Sequence, residues 1–226
     1  MLKLISSMAT RLLLADLANQ WRCTSGLQAT IESIGGVDAA KRVQAGEAFD
    51  GVILAGEAID KLMGSGQVVR GSRVDLVSSS VAVAVKAGTP VPDISSEAAL
   101  RSAIKAAPTI GYSTGPSGVA IIELFERWGL SQALKSKIIQ APPGVPVGTL
   151  VARGELALGF QQLSELMTLE GITVVGTLPE AVAITTVFSA GICTASIQRP
   201  RVADFFAFMA SSHADSTKQR HGMTAV

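Results

Sequence analysis

"SRVDLVSSSVAVAVKAG", residues 72–88, places Val74, Leu76, Val81, Val83 and Val85 in near-strict alternation and is followed by no helix-period segment. That is the pattern of one long strand. It interrupts a different rhythm upstream. "LKLI" (2–5) leads through "SSMAT" (6–10) to Leu12, Leu13, Leu17 and Trp21 on one helical face. "LQATIESI" (27–34) leads through "GGVD" (35–38) to Ala39, Ala40, Val43 and Ala45, and "FDGVILA" (49–55) leads to Glu57, Ile59 and Leu62 before "GSG" (64–66). A short apolar run, a turn of small residues and a helix, repeated, predict a parallel sheet with helices on its faces.

Downstream, "TPVPDISSEAAL" (89–100) reads as a Pro-broken linker, with Ser95 or Ser96 capping "AALRSAIKAA" (98–107). The strand–turn–helix rhythm then resumes through "TIGYSTGPSG" (109–118), "SKIIQAPPGVPVGTLVARG" (136–154) and "LALGFQQLSELM" (156–167). A second strand-rich passage, "ITVVGTLPEAVAITTVFSAGICTAS" (172–196), precedes a last helix, "PRVADFFAFMASS" (200–212). Two long strand passages bracketing the middle of the chain predict an α/β protein of two lobes joined by two crossover strands. Lobe one is discontinuous, residues 1–79 plus 187–226, and lobe two is 80–186. Ligand cavities favour such hinged interfaces. One continuous doubly wound sheet is the alternative.

Composition narrows the function. The 226 residues carry 48% hydrophobic and 16% charged residues at net charge +1, with 19 basic residues scattered among 18 acids. Nucleic-acid binding would need a clustered basic face, so no such partner is expected. Cys23 and Cys193 fit no metal spacing and read as buried free thiols. Arg11 and Asp16 interrupt any signal-peptide core, so the chain as sequenced reads as cytoplasmic, or as periplasmic if a leader had been trimmed away. The uncharged run from Ala181 to Gln198 is patterned for strands, and no membrane insertion is expected.

Residues 111–115, "GYSTG", match the G-x-S-x-G of a hydrolase nucleophile elbow. A triad would draw on His213 or His221, the only histidines. Pro116, however, belongs at the first helical turn with Gly115 or Thr114 as cap, which leaves Ser113 ahead of the helix. Both histidines read as solvated residues on a terminal helix. No dinucleotide or Walker loop is present, no cofactor is implied and metal chemistry lacks ligands. What remains is a set of helix-opening turns at Ser6–Met8, Gly35–Asp38, Ser113–Gly118 and Pro142–Gly148. Each offers unpaired N–H groups and the positive end of a helix dipole, and several add hydroxyls, which suits a small anion. Simple helix capping is the competing account of each turn.

"LISSMATRLLLADLANQW" (4–21), "VQAGEAFDGVILAGEAIDKL" (43–62) and "VARGELALGFQQLSEL" (151–166) resemble the molybdate-binding protein-like group of bacterial substrate-binding proteins, which have the type II periplasmic binding protein fold. The resemblance covers nearly the whole chain. It implies an anion trapped between lobes by Ser6, Ser7 and Met8, by Gly35, Gly36 and Val37, by Ser113, Thr114 and Ser117, by Gly144 and Val145, and by Gln161 and Gln162. The family's ABC-transporter partner is not expected of a cytoplasmic chain. Gly35–Gly36 stands where molybdate binders carry a hydroxyl, and Gln162 stands where they carry a tyrosine. An organic carboxylate is therefore expected ahead of molybdate. Some relatives are aconitate-type isomerases, which makes an allylic proton shift on an unsaturated di- or tricarboxylate the alternative. Such chemistry needs a base, for which Tyr112, Asp38 and Glu165 are candidates. Asp38 otherwise caps its helix, Glu165 points to solvent and Tyr112 packs. Arg73 either pairs with a ligand carboxylate or is a surface arginine.

Overall fold

Apolar runs too short for helices alternate with amphipathic segments, and the chain folds accordingly. The computed structural model describes residues 1–226. From the N-terminus it forms β1 (Leu2–Ser7), a 3-10 turn (Met8–Thr10), α1 (Arg11–Ser25), β2 (Ala29–Ile34), α2 (Gly36–Gln44), β3 (Gly51–Ala55), α3 (Gly56–Gly64) and the long β4 (Val74–Lys86). Next come α4 (Glu97–Ala106), β5 (Ile110–Tyr112), α5 (Pro116–Arg127), α6 (Ser131–Leu134), β6 (Ile138–Gln140), α7 (Val147–Arg153), β7 (Leu158–Gln162), α8 (Leu163–Leu166) and β8 (Ile172–Thr177). The chain closes with β9 (Thr185–Ile192), α9 (Arg199–Ala210), α10 (Asp215–Arg220) and β10 (Thr224–Ala225). It divides into two units, Met1–Ser79 with Thr186–Val226, and Ser80–Thr185.

In the first unit β1 pairs in parallel with both β2 and β3, and β3 pairs antiparallel with β9. Helices cover both faces, so all of β3 is buried, as a parallel strand between two helical layers must be. Ile53 joins Leu2, Leu4, Phe205 and Phe206 in one core cluster, while Val52 and Leu54 join Ile5, Phe49 and Ile59 in another. Alternation along the strands thus feeds two separate cores. α1 buries Leu13, Leu14 and Leu17 and stops at Gly26 in the left-handed conformation, a common helix end.

The second unit has the order β4-β7-β5-β6, with β5 parallel to both neighbours, β7 antiparallel to β4, and β8 also antiparallel to β4. Here the alternation of Val and Ala in "VAVAV" acquires its meaning. Val81, Val83 and Val85 pack against Leu100, Ile121 and Phe160 on one face, whereas Ala82 and Ala84 meet Leu166 on the other. The small side chains face α8, which lies close above the strand.

Three expectations need correction. The helix over residues 200–212 is not the last element, since α10 and β10 follow and Thr224 pairs with Ser78 of β4. Cys23 is exposed rather than buried, because it lies outside the Leu13–Leu14–Leu17 stripe of α1; Cys193 is buried, and burial pushes its thiol up to about 12. His221 is not simply solvated: α10 docks against α1, and its ring nitrogen lies 2.8 Å from the Asp16 carboxylate. No helix is long and apolar enough to cross a membrane.

Candidate functional site

Parallel pairing sets β2, β1 and β3 side by side with their carboxyl ends at one edge, Ser7 level with Ile34 and Ser6 level with Ile53. The turns after these strands are therefore neighbours. Ser6 is fully buried and its hydroxyl shares a hydrogen bond with Ser33 Oγ at 2.7 Å, so it ties β1 to β2. Ser7 is different. Its backbone is extended, its carbonyl accepts the Thr10 hydroxyl at 3.1 Å, and it precedes the 3-10 turn that begins at the half-buried Met8. The Ser7 hydroxyl is buried and has no hydrogen-bond partner.

α2 opens beside it. Gly35 occupies the capping position, no side chain caps the helix, and a Cβ placed on Gly36 would lie 3.5 Å from Ser7 Cβ. The first turn of α2 therefore packs beside the Ser7 side chain. Val37 on the first turn is 48% exposed. Asp38 does not cap the helix it opens. With Gly35 extended at the cap and the carboxylate already inside the first turn, it pairs instead with Lys41 at 3.5 Å and is exposed. Its charge still complements the helix dipole.

The second unit repeats the arrangement with different chemistry. Pairing of β5 with β7 and β6 brings Tyr112 level with Phe160 and Gln140, so the turns after these three strands share an edge. After Tyr112 come the half-buried Ser113 and Thr114, then Gly115 as N-cap and Pro116 at the first helical turn of α5. Ser117 is buried, and its hydroxyl lies 3.1 Å from Ser113 Oγ. A Cβ on Gly118 would stand only 1.8 Å from the Ser113 carbonyl oxygen. That position admits no side chain. Tyr112 packs at the margin of the core formed by Ile110, Leu124 and Phe160. Ser113 makes its pair with Ser117 and His221 with Asp16, so neither makes the serine–histidine contact of a hydrolase triad.

After β6 the chain turns at Gly144, with φ of 78°, and Val145 N–H closes the turn on the Pro142 carbonyl at 3.0 Å. Gln161 and Gln162 end β7, both buried. Gln161 Oε1 accepts the N–H of Gly148, on the first turn of α7, at 3.2 Å, which turns its amide nitrogen toward Glu165, its other hydrogen-bond partner. Glu165 was expected to point to solvent, yet the residue is only partly exposed and protein atoms crowd its carboxyl. Burial pushes this carboxyl up to about 7, while the bond from Gln161 pulls the other way. Arg73 is no lone surface cation either. It donates to Asp60 at 2.6 Å and to Asp75 at 2.8 Å, and Ser189 Oγ donates to Asp75 at 2.6 Å. These bonds hold the Asp75 carboxyl below the usual range.

The expected residues thus gather in two groups. Ser6, Ser7 and Met8 join Gly35, Gly36 and Val37 at one edge; Ser113, Thr114 and Ser117 join Gly144, Val145, Gln161 and Gln162 at the other. Ser33 and the linking role of Gln161 were not foreseen. Ser33 could have been found from the register of β1 against β2. The Gln161 bridge depends on which face the strand end presents to α7, a tertiary property.

The chain matches the family of bacterial extracellular solute-binding proteins over residues 2–224. It is 40% identical over 187 residues to an aconitate isomerase of Pseudomonas sp., an alignment covering 82% of this chain and 71% of that protein. Among solved structures it resembles the periplasmic molybdate-binding protein of Azotobacter vinelandii, with a TM-score of 0.81 and 21% identity over 99% of both chains. It also resembles L-phospholactate-bound PEB3, with a TM-score of 0.77 and 15% identity over 99% of both chains. These structures share the α/β periplasmic binding protein fold. The chain belongs to the bacterial extracellular solute-binding protein family.

Proposed function

We propose that this protein binds a small organic polycarboxylate. The observation that carries this reading is the buried, unpartnered Ser7 hydroxyl beside the uncapped first turn of α2. A buried hydroxyl without a partner costs free energy until a ligand accepts from it, and a helix N-terminus favours a negative guest. The carboxylate class is supported by the aconitate isomerase relative and by the amide Gln162, which stands where molybdate binders carry a tyrosine. Planar carboxylates accept from amides in the plane of the group. Calorimetric titration with trans-aconitate, cis-aconitate, molybdate and tungstate tests the reading. The expected result is binding of an aconitate at least tenfold tighter than either oxyanion. Tighter binding of molybdate or tungstate overturns it.

A second reading is favoured by the 40% identity to an aconitate isomerase and by the environment of Glu165. In this reading the bound acid undergoes an allylic shift: a base removes a proton from the methylene carbon, the double bond moves by one position, and a proton returns at the far carbon. No oxidant or reductant is consumed. A base works best with a pKa near the operating pH, and burial pushes Glu165 up to about 7. Proton NMR in deuterated water should show trans-aconitate converting to the cis isomer with deuterium incorporation. Glu165→Gln should keep binding and lose exchange. An aconitate that binds without any exchange leaves the first reading alone standing.

A further inference from the structure

The helical run that starts at the Met8–Thr10 turn and continues through α1 carries no acid in its first turn, and its first charged residue is Arg11. The two neighbouring helices at the same sheet edge are conventional, α2 with Asp38 and α3 with Glu57 in their first turns. A cation near a helix N-terminus is unfavourable, because both it and the dipole are positive there. α1 also shows the normal placement at its other end, where Arg22 occupies the last turn. Arg11 is exposed, and its guanidinium makes no hydrogen bond or ion pair. It lies four residues beyond Ser7, a residue only 7% exposed whose hydroxyl is buried and without a partner. Thr10 fixes the intervening turn by donating to the Ser7 carbonyl, and Gly36 at the start of α2 lies beside Ser7.

We propose that Arg11 selects ligands bearing a second carboxylate. One carboxylate of the guest accepts from the Ser7 hydroxyl and the first N–H groups of α2. Another, one or two carbons away, pairs with the Arg11 guanidinium, whose planar fork matches a carboxylate in two-point contact. This inference rests on the polycarboxylate reading above and adds to it the residue that separates polycarboxylates from single anions.

The test compares wild type, Arg11→Gln and Arg11→Lys by calorimetry with trans-aconitate, propionate and molybdate, with thermal melts to verify folding of each variant. Arg11→Gln should weaken trans-aconitate at least tenfold and change propionate or molybdate less than twofold. Arg11→Lys should recover part of the loss, and the salt dependence of trans-aconitate binding should be shallower in Arg11→Gln than in wild type. Equal trans-aconitate affinity in wild type and Arg11→Gln overturns this inference and leaves the functional reading intact. An equal loss for all three ligands overturns the selective role. Wild type that binds no polycarboxylate overturns the functional reading and this inference with it.

Discussion

The turns at the strand ends of the two units differ in how far their polar groups are already satisfied. In the first unit the Ser7 hydroxyl is buried without a partner and no side chain caps α2. In the second unit Ser113 and Ser117 bond to each other, and Gln161 links Gly148 to Glu165. Leaving a buried hydroxyl unpaired costs about 1–3 kcal/mol. A guest at the first unit removes a cost, whereas a guest at the second must exchange existing bonds for new ones. The polar groups at the second unit's turns thus form a frame of existing bonds, and those at the first unit's turns do not.

The tightness of that frame is the strongest point at which to break the comparison. Gly118→Ala drives a methyl group into the Ser113 carbonyl at 1.8 Å and should destabilise the protein by about 3 kcal/mol or more. Gly36→Ala meets only ordinary contacts, at 3.5 Å to Ser7 and 3.8 Å to Leu54, and should shift stability by less than about 1 kcal/mol. Urea unfolding of both variants checks the pair. Equal losses would mean that the two turns are built alike.

Glu165 sharpens the comparison through pH. Its folded pKa of about 7 lies above the ordinary 4.5, so between these values the native state keeps a proton that the unfolded chain has released. Stability then falls as pH rises through this window and levels off above it, by at most about 3 kcal/mol in total. Glu165→Gln removes the titration and should flatten the profile between pH 5 and 8. Parallel profiles in wild type and variant would show that the carboxyl is solvated.

The α/β architecture was legible because strand and helix periods differ, and because the Val and Ala alternation of residues 81–85 has no helical reading. The turns themselves were legible too, since Ser, Gly and Pro punctuate strand–helix junctions for local reasons. What each polar group does there was not. Ser6 and Ser7 are adjacent and chemically identical, yet one is tied to Ser33 and the other has no partner, a distinction set by the register of β1 against β2. Glu165 reads as a surface acid in "QQLSEL" and becomes a crowded one only because α8 folds back over β7 and β4. Arg73 acquires two acidic partners from residues 13 positions before and two after it, a pairing that no local pattern announces.

The most direct test of the account is Ser7→Ala, with unfolding free energy and trans-aconitate affinity measured on the same preparation. If the hydroxyl is held for a ligand, removing it should leave the empty protein as stable as wild type or more so by up to about 1 kcal/mol. The same change should weaken trans-aconitate about tenfold, or about 1.4 kcal/mol. A variant that loses stability while binding trans-aconitate as tightly as wild type would make Ser7 a structural residue and contradict the account.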